Sequence, residues 1–188
     1  SRRERLARLV PDFQTIVIDS VTKAEELAIA HTLATVPHEK GHKVDRLESY
    51  SFGRGYQHVY ETFGLLPPDL DRHVRAGRHV VLIAHDCVSE VPNPAGESFI
   101  RYEPRLQQLK SGKASVREKL FEYCDHVLWI GYDIIVSEDG KGRGGGSRTI
   151  WPTERPDHRA KSRSLAEPIV YNDANDGSVW SLLFGGGK

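Results

Sequence analysis

The residues able to do chemistry stand at the ends of two apolar runs. Thr15-Ile-Val-Ile-Asp-Ser20 is β-branched throughout its first four positions and closes on a carboxylate and a hydroxyl. A run of that kind predicts a buried strand, and one carboxylate at its tip is suited to face a phosphate-bound Mg2+. Arg78-His-Val-Val-Leu-Ile-Ala-His85 is the second run; it closes on an imidazole and is followed by Asp86. Carboxylates and an imidazole at strand ends can also bind a metal directly, so Asp19, His85 and Asp86 read alternatively as the ligands of a metal-dependent hydrolase. The bland alternative is structural, because strands often end in Asp for capping or turn reasons.

Basic residues form two further groups. Arg101, Arg105, Lys110 and Lys113, with Phe99 and Tyr102 interleaved, offer charge for phosphates and aromatic faces for base stacking. Glu90, Glu97 and Glu103 dilute that patch, so a solvated loop is the competing interpretation. Lys161 and Arg163 make a second pair, or simply continue a basic surface turn begun by Arg155 and Arg159.

The elements that must position these groups alternate in type. After the first run, apolar residues from Val21 to Ala34 suit a helix closed by Pro37. Residues 38–53 read as a polar, Gly-punctuated loop. Val59, Tyr60, Phe63, Leu66, Leu70 and Val74 recur at helical spacing, with Pro67-Pro68 opening a second helix. The run ending at His85 then predicts a neighbouring parallel strand. Residues 86–109 hold Pro92, Pro94, Gly96 and Pro104 and read as one long loop. A helix is expected over 116–123, one long strand over 126–136, a flexible turn over 140–146 and a returning strand from Arg148. Ser178–Phe184 supplies a last apolar segment. Strand-helix alternation followed by a strand-rich final third predicts a single α/β domain over residues 1–188, with three layers, a mainly parallel sheet and an antiparallel C-terminal hairpin extension. Such sheets bind ligands at the carboxyl ends of their parallel strands, where Asp19, Ser20, His85 and Asp86 all fall.

Composition narrows the class. The 188 residues balance 26 Lys and Arg against 26 Asp and Glu, which argues against coating nucleic acid by bulk charge but leaves room for a local basic loop. Two cysteines without a CxxC or Cys/His pattern indicate neither a disulfide framework nor a zinc site. No apolar run approaches the roughly 18 to 20 residues needed to cross a bilayer, so no membrane association and a cytoplasmic location are expected.

In order along the chain stand Ile16-Val-Ile-Asp19-Ser20, Phe52-Gly-Arg-Gly-Tyr56, Ala84-His-Asp86, Arg101-Tyr-Glu-Pro-Arg-Leu106, Glu118-Lys-Leu-Phe-Glu-Tyr-Cys-Asp125 before Val127-Leu-Trp-Ile, Arg148-Thr-Ile150 and Ala160-Lys-Ser-Arg163. That series resembles the phage-type RecA-like nucleotide-binding ATPases, AAA-domain proteins associated with single-strand annealing and recombination, over about Phe13 to Ile169. The resemblance implies a RecA-like P-loop NTPase core using ATP and Mg2+, single-stranded DNA as partner, and a homo-oligomer with nucleotide sites between subunits. Within it Ile16–Asp19 is a Walker-B strand: Asp19 holds the water shell of Mg2+, with Ser20 beside it. His85 becomes the polar sensor of the γ-phosphate or attacking water. Arg101, Tyr102, Arg105, Lys110 and Lys113 match the DNA-contacting loop, and Lys161 and Arg163 reach the γ-phosphate held by a neighbouring subunit.

The phosphate-binding G-x-x-x-x-G-K-[ST] loop is missing. Ser111-Gly-Lys-Ala114, Gly140-Lys-Gly-Arg-Gly-Gly-Gly-Ser147 and Gly185-Gly-Gly-Lys188 all fail the pattern. The residue after Asp19 is serine, so no water-activating glutamate adjoins it. The family order puts both the P-loop and that glutamate upstream, and with no methionine in the chain Ser1 is not expected to be the natural start. A P-loop-less module that binds DNA or a partner without hydrolysis is the alternative. Residues 1–188 alone are therefore expected to bind ATP poorly and to show no Mg-dependent turnover; measurable hydrolysis by this chain overturns that expectation.

Overall fold

The computed structural model describes residues 13–109, 114–136, 142–171, 173 and 175–185. The chain separates into two compact units, one of residues up to His85 with Pro104–Leu120, the other of Asp86–Glu103 with residues from Phe121 onward.

In the first unit β1 (Thr15–Asp19) pairs in parallel with β2 (His79–Ile83), Ile16 facing Val80 and Asp19 facing Ile83. Helix α1 (Val21–Thr35) starts directly after β1 because Ser20 caps it: the Ser20 hydroxyl accepts the Lys23 N–H at 3.1 Å. The Asp19–Ser20 peptide at this junction is cis. Two 3-10 turns, Leu47–Ser49 and Ser51–Gly53, lead into α2 (Arg54–Phe63), and α3 (Leu66–Arg75) follows with proline in its first turn. Leu47, Tyr50 and Val59 form the buried centre, against which Ile29, Leu33, Val36, Val44 and Tyr56 pack. Each such side chain contributes on the order of 1.5–3 kcal/mol on burial. The Tyr50 hydroxyl donates to the Val36 carbonyl just past the end of α1, and burial pushes its phenol up, so it stays a donor.

In the second unit β3 (Asp86–Val91) pairs with β4 (Phe99–Pro104), and β5 (His126–Val127) pairs antiparallel with β8 (Lys161–Ser162). A three-stranded antiparallel sheet runs in the order β6 (Trp129–Val136), β7 (Gly142–Trp151), β9 (Ile169–Tyr171). Helix α4 (Val116–Tyr123) begins in the first unit, and α5 (Ser178–Phe184) is the last described element.

Several expectations change. Residues 86–109 are not one loop: the stretches on either side of Pro92 and Pro94 alternate exposed and half-buried side chains and form β3 and β4. The strand expected over 126–136 breaks at Leu128, where the partner changes from β8 to β7. Gly142 and Gly144 are paired with Val136 and Ile134, so the glycine run expected as a turn lies largely within β7, and the last apolar segment is a helix. The described parallel sheet has only two strands. With one ladder partner, β1 is not the fully buried strand that its β-branched run predicts: Val17 remains 53% exposed.

Gly55, inside α2, marks a close approach. A Cβ there would lie 2.3 Å from the Leu47 carbonyl oxygen and 2.8 Å from a Tyr50 ring carbon. Helix propensity alone favours Gly→Ala by about 1 kcal/mol, but a backbone oxygen cannot yield cheaply, and overpacking costs about 1–3 kcal/mol. Gly55→Ala is expected to lower stability by up to about 2 kcal/mol, read as a lower urea midpoint at unchanged m value.

Candidate functional site

The parallel ladder brings the two chemical run-ends together. Asp19 is the last residue of β1, and His85 follows two residues after Ile83, the register partner of Asp19. Both are exposed, whereas Ser20 is buried and its hydroxyl is committed to the helix cap. The Asp19 carboxylate makes no hydrogen bond or ion pair with the described residues, which leaves both oxygens for solvent or a cation's water shell.

His85 is held from several sides. Its N–H donates to the Thr22 hydroxyl in the first turn of α1 at 3.1 Å, and its carbonyl accepts the Arg105 N–H at 2.8 Å. Its Nδ1 lies 3.2 Å from the Arg105 guanidinium. The segment carrying Arg105 is itself anchored: the Gln107 N–H donates to Glu25 of α1 at 2.7 Å, and the Gln107 side-chain amide donates to the carbonyls of Tyr56 and Ala114. Burial raises the Glu25 carboxyl above its ordinary range, opposed by the Gln107 hydrogen bond and the charge of Arg117. Glu26 is held below the usual carboxylate range, first by its hydrogen bond with Lys23 and that residue's charge, then by the charge of Arg105. A carboxylate therefore stands near Arg105 and balances part of its charge.

The remaining expected residues do not join this site as one group. Arg105 belongs to the first unit, but Arg101 and Tyr102 belong to the second. Arg101 is bound to Glu103 at 2.7 Å and also pairs with Glu154, and its side chain is only 12% exposed. Tyr102 stacks on Trp129 and keeps 40% of its surface in solvent. Lys161 points its ammonium at the Glu122 carbonyl at 3.4 Å, while Arg163, 73% exposed, pairs with Asp125 at 3.1 Å. Lys110 and Lys113 lie outside the described residues. No group of three or more His, Cys, Asp or Glu side chains able to hold a metal ion occurs among the described residues, so the hydrolase set of Asp19, His85 and Asp86 does not form. No described helix is long and apolar enough to cross a membrane.

Thr22, Glu26 and the real place of Arg105 escape sequence reasoning. Arg105 is 20 residues from His85, and nothing in local pattern joins them. Neither the capping role of the Ser20 hydroxyl nor the Thr22 tether is read from the sequence; both come from the structure.

A family model described as an AAA domain matches residues 4–164. No curated protein and no solved structure matches the chain.

Thr22→Val keeps the side-chain shape but removes the acceptor for the His85 N–H. The expected cost is about 0.5–1.5 kcal/mol, together with faster hydrogen exchange of the His85 amide; an unchanged exchange rate excludes the Thr22 tether.

Proposed function

As a member of the AAA domain family, this chain belongs with the P-loop nucleotide-binding ATPases, and we propose that its β1–β2 strand ends are the metal and sensor side of the ATP site. The observation that carries this reading is the exposed Asp19 carboxylate, without a partner among the described residues, at the end of β1 beside β2, whose last residue stands two positions before His85. The residues fit the role. Asp19 would accept hydrogen bonds from the water ligands of Mg2+, and Ser20, fixed as helix cap, holds the turn that aims it. His85 would donate to the terminal phosphate or orient the attacking water. Mg2+, when bound, supplies positive charge against the triphosphate; Asp19 and His85 set where that charge and one N–H donor sit.

We further propose that the complete protein is a RecA-like ATPase acting on single-stranded DNA in recombination or annealing, as a homo-oligomer. The resemblance supports this, with Tyr102 exposed for stacking and Lys110 and Lys113 as phosphate contacts. Arg101 contributes less directly, because its guanidinium is already engaged by Glu103 and Glu154. Arg163, exposed and held by a surface ion pair with Asp125, is the better of the two basic residues to reach a neighbouring subunit's nucleotide, with Lys161 behind it.

The test uses the complete natural protein. Mg-dependent ATP turnover stimulated by single-stranded DNA is expected, with His85→Ala and Asp19→Asn each lowering kcat by about 100-fold or more, the scale of losing one preorganised electrostatic contact. Full turnover in both variants refutes the site. DNA binding with no turnover in the unmodified protein selects the non-hydrolysing module, and binding without a salt dependence removes the phosphate contacts.

A further inference from the structure

The contact between Arg105 and His85 determines more than position. A guanidinium has only donors and keeps its charge at all accessible pH values. An imidazole nitrogen 3.2 Å from it, in hydrogen-bond geometry, can therefore only be an acceptor. If Nδ1 accepts, the ring is neutral and its proton resides on Nε2. No described residue partners Nε2, so the proton is left for whatever approaches the strand ends.

We propose that Arg105 is a positioning residue for His85: it selects the Nε2–H tautomer and so gives the β2 strand end one directed N–H donor. The inference rests on the assignment of His85 to the nucleotide site and deepens it. An anionic phosphate oxygen, which accepts only, is the oxygen chemistry that an Nε2–H recognises. The other nitrogen is already occupied, so the ring does not offer it as a competing acceptor.

The surroundings favour this state. Arg105 contributes its backbone N–H to the His85 carbonyl as well as its side chain to Nδ1, so ring and main chain are held by the same residue. Its segment is pinned to α1 through Glu25 and Gln107. The charged groups around the ring are Arg105, Glu26 and, through Glu26, Lys23, with Asp86 next along the chain.

The experiment is side-chain 15N NMR on the 188-residue chain, with the His85 ring identified by its loss in His85→Gln. At about pH 8.5, above the ordinary imidazole range, Nε2–H is expected to exceed Nδ1–H by roughly tenfold, the scale of a charge-assisted hydrogen bond. In Arg105→Ala the excess is expected to fall several-fold, and Arg105→Lys, which restores a cationic donor, is expected to recover part of it; amide spectra verify that both variants fold. A protonated Nδ1 in the parent chain, or a ring spectrum indifferent to Arg105→Ala in a folded chain, overturns the proposal. Turnover of MgATP by the complete protein separates the two levels. If the tautomer follows Arg105 but His85→Ala hydrolyses normally, the nucleotide-site reading fails and, with it, the phosphate-directed role of the tautomer. If His85→Ala is inactive but the tautomer ignores Arg105, that reading stands and the role given to Arg105 falls.

Discussion

Everything at the candidate site depends on the parallel register between β1 and β2. With Thr15 opposite His79 and Asp19 opposite Ile83, both strands run out at the same edge, so a carboxylate and an imidazole separated by 66 positions along the chain both stand at the carboxyl end of one ladder. A slip of one residue would turn the side chains of one strand onto the opposite face of the sheet. The ladder has no third described strand to enforce its register. Polar ties at its carboxyl end add that constraint: the start of α1 binds the end of β2 through Thr22, and the chain after β4 closes on the same residue from the other side.

These ties are individually modest, about 0.5–1.5 kcal/mol each, but they share members. Thr22, Glu25 and Glu26 all lie in the first two turns of α1, whose direction is set by the Ser20 cap. A cap that fixes where the helix starts thus also fixes the acceptor for the His85 amide and the carboxylate that holds Gln107. The close passage of Gly55 beneath Leu47 and Tyr50 locks the far end of α1 through the Tyr50–Val36 hydrogen bond. Local capping and core packing therefore converge on the same helix.

The second unit handles charge differently. Glu103, only 4% exposed, is paired by Arg101 and lies 3.7 Å from Arg159, whose guanidinium also covers the Phe121 ring. Removing one partner of such a buried set is far more costly than the set itself is stabilising, because it strands an uncompensated charge. Arg101 is for that reason a structural residue first, whatever it adds at a surface. His158, fully buried, is stacked 4.5 Å from Trp129 and next to Trp151, and Tyr102 donates its N–H to the Asp157 carbonyl beside it. An aromatic stack of this kind supplies part of the core of the strand-rich unit.

What the sequence determined by itself was local. The β-branched runs ending at Asp19 and His85, the helix expected from Val21 to Ala34 and the helix pair divided at Pro67 follow from side-chain shape and backbone chemistry within a few residues. Their order carried the family resemblance, and the strand ends followed from the rule that parallel sheets bind at their carboxyl edge. Pairing was not legible: prolines at 92 and 94 hid the alternation of β3 and β4, and glycines have no side-chain pattern to reveal that Gly142 and Gly144 continue a strand. Nor was the fate of the basic cluster. Arg101 and Arg105 look equivalent along the chain, yet one is neutralised by two carboxylates while the other binds His85. That difference was decided only by the tertiary structure, because the partners of a long, flexible cation come from elements distant in sequence, and residue spacing carries no record of which of them arrives within hydrogen-bond reach.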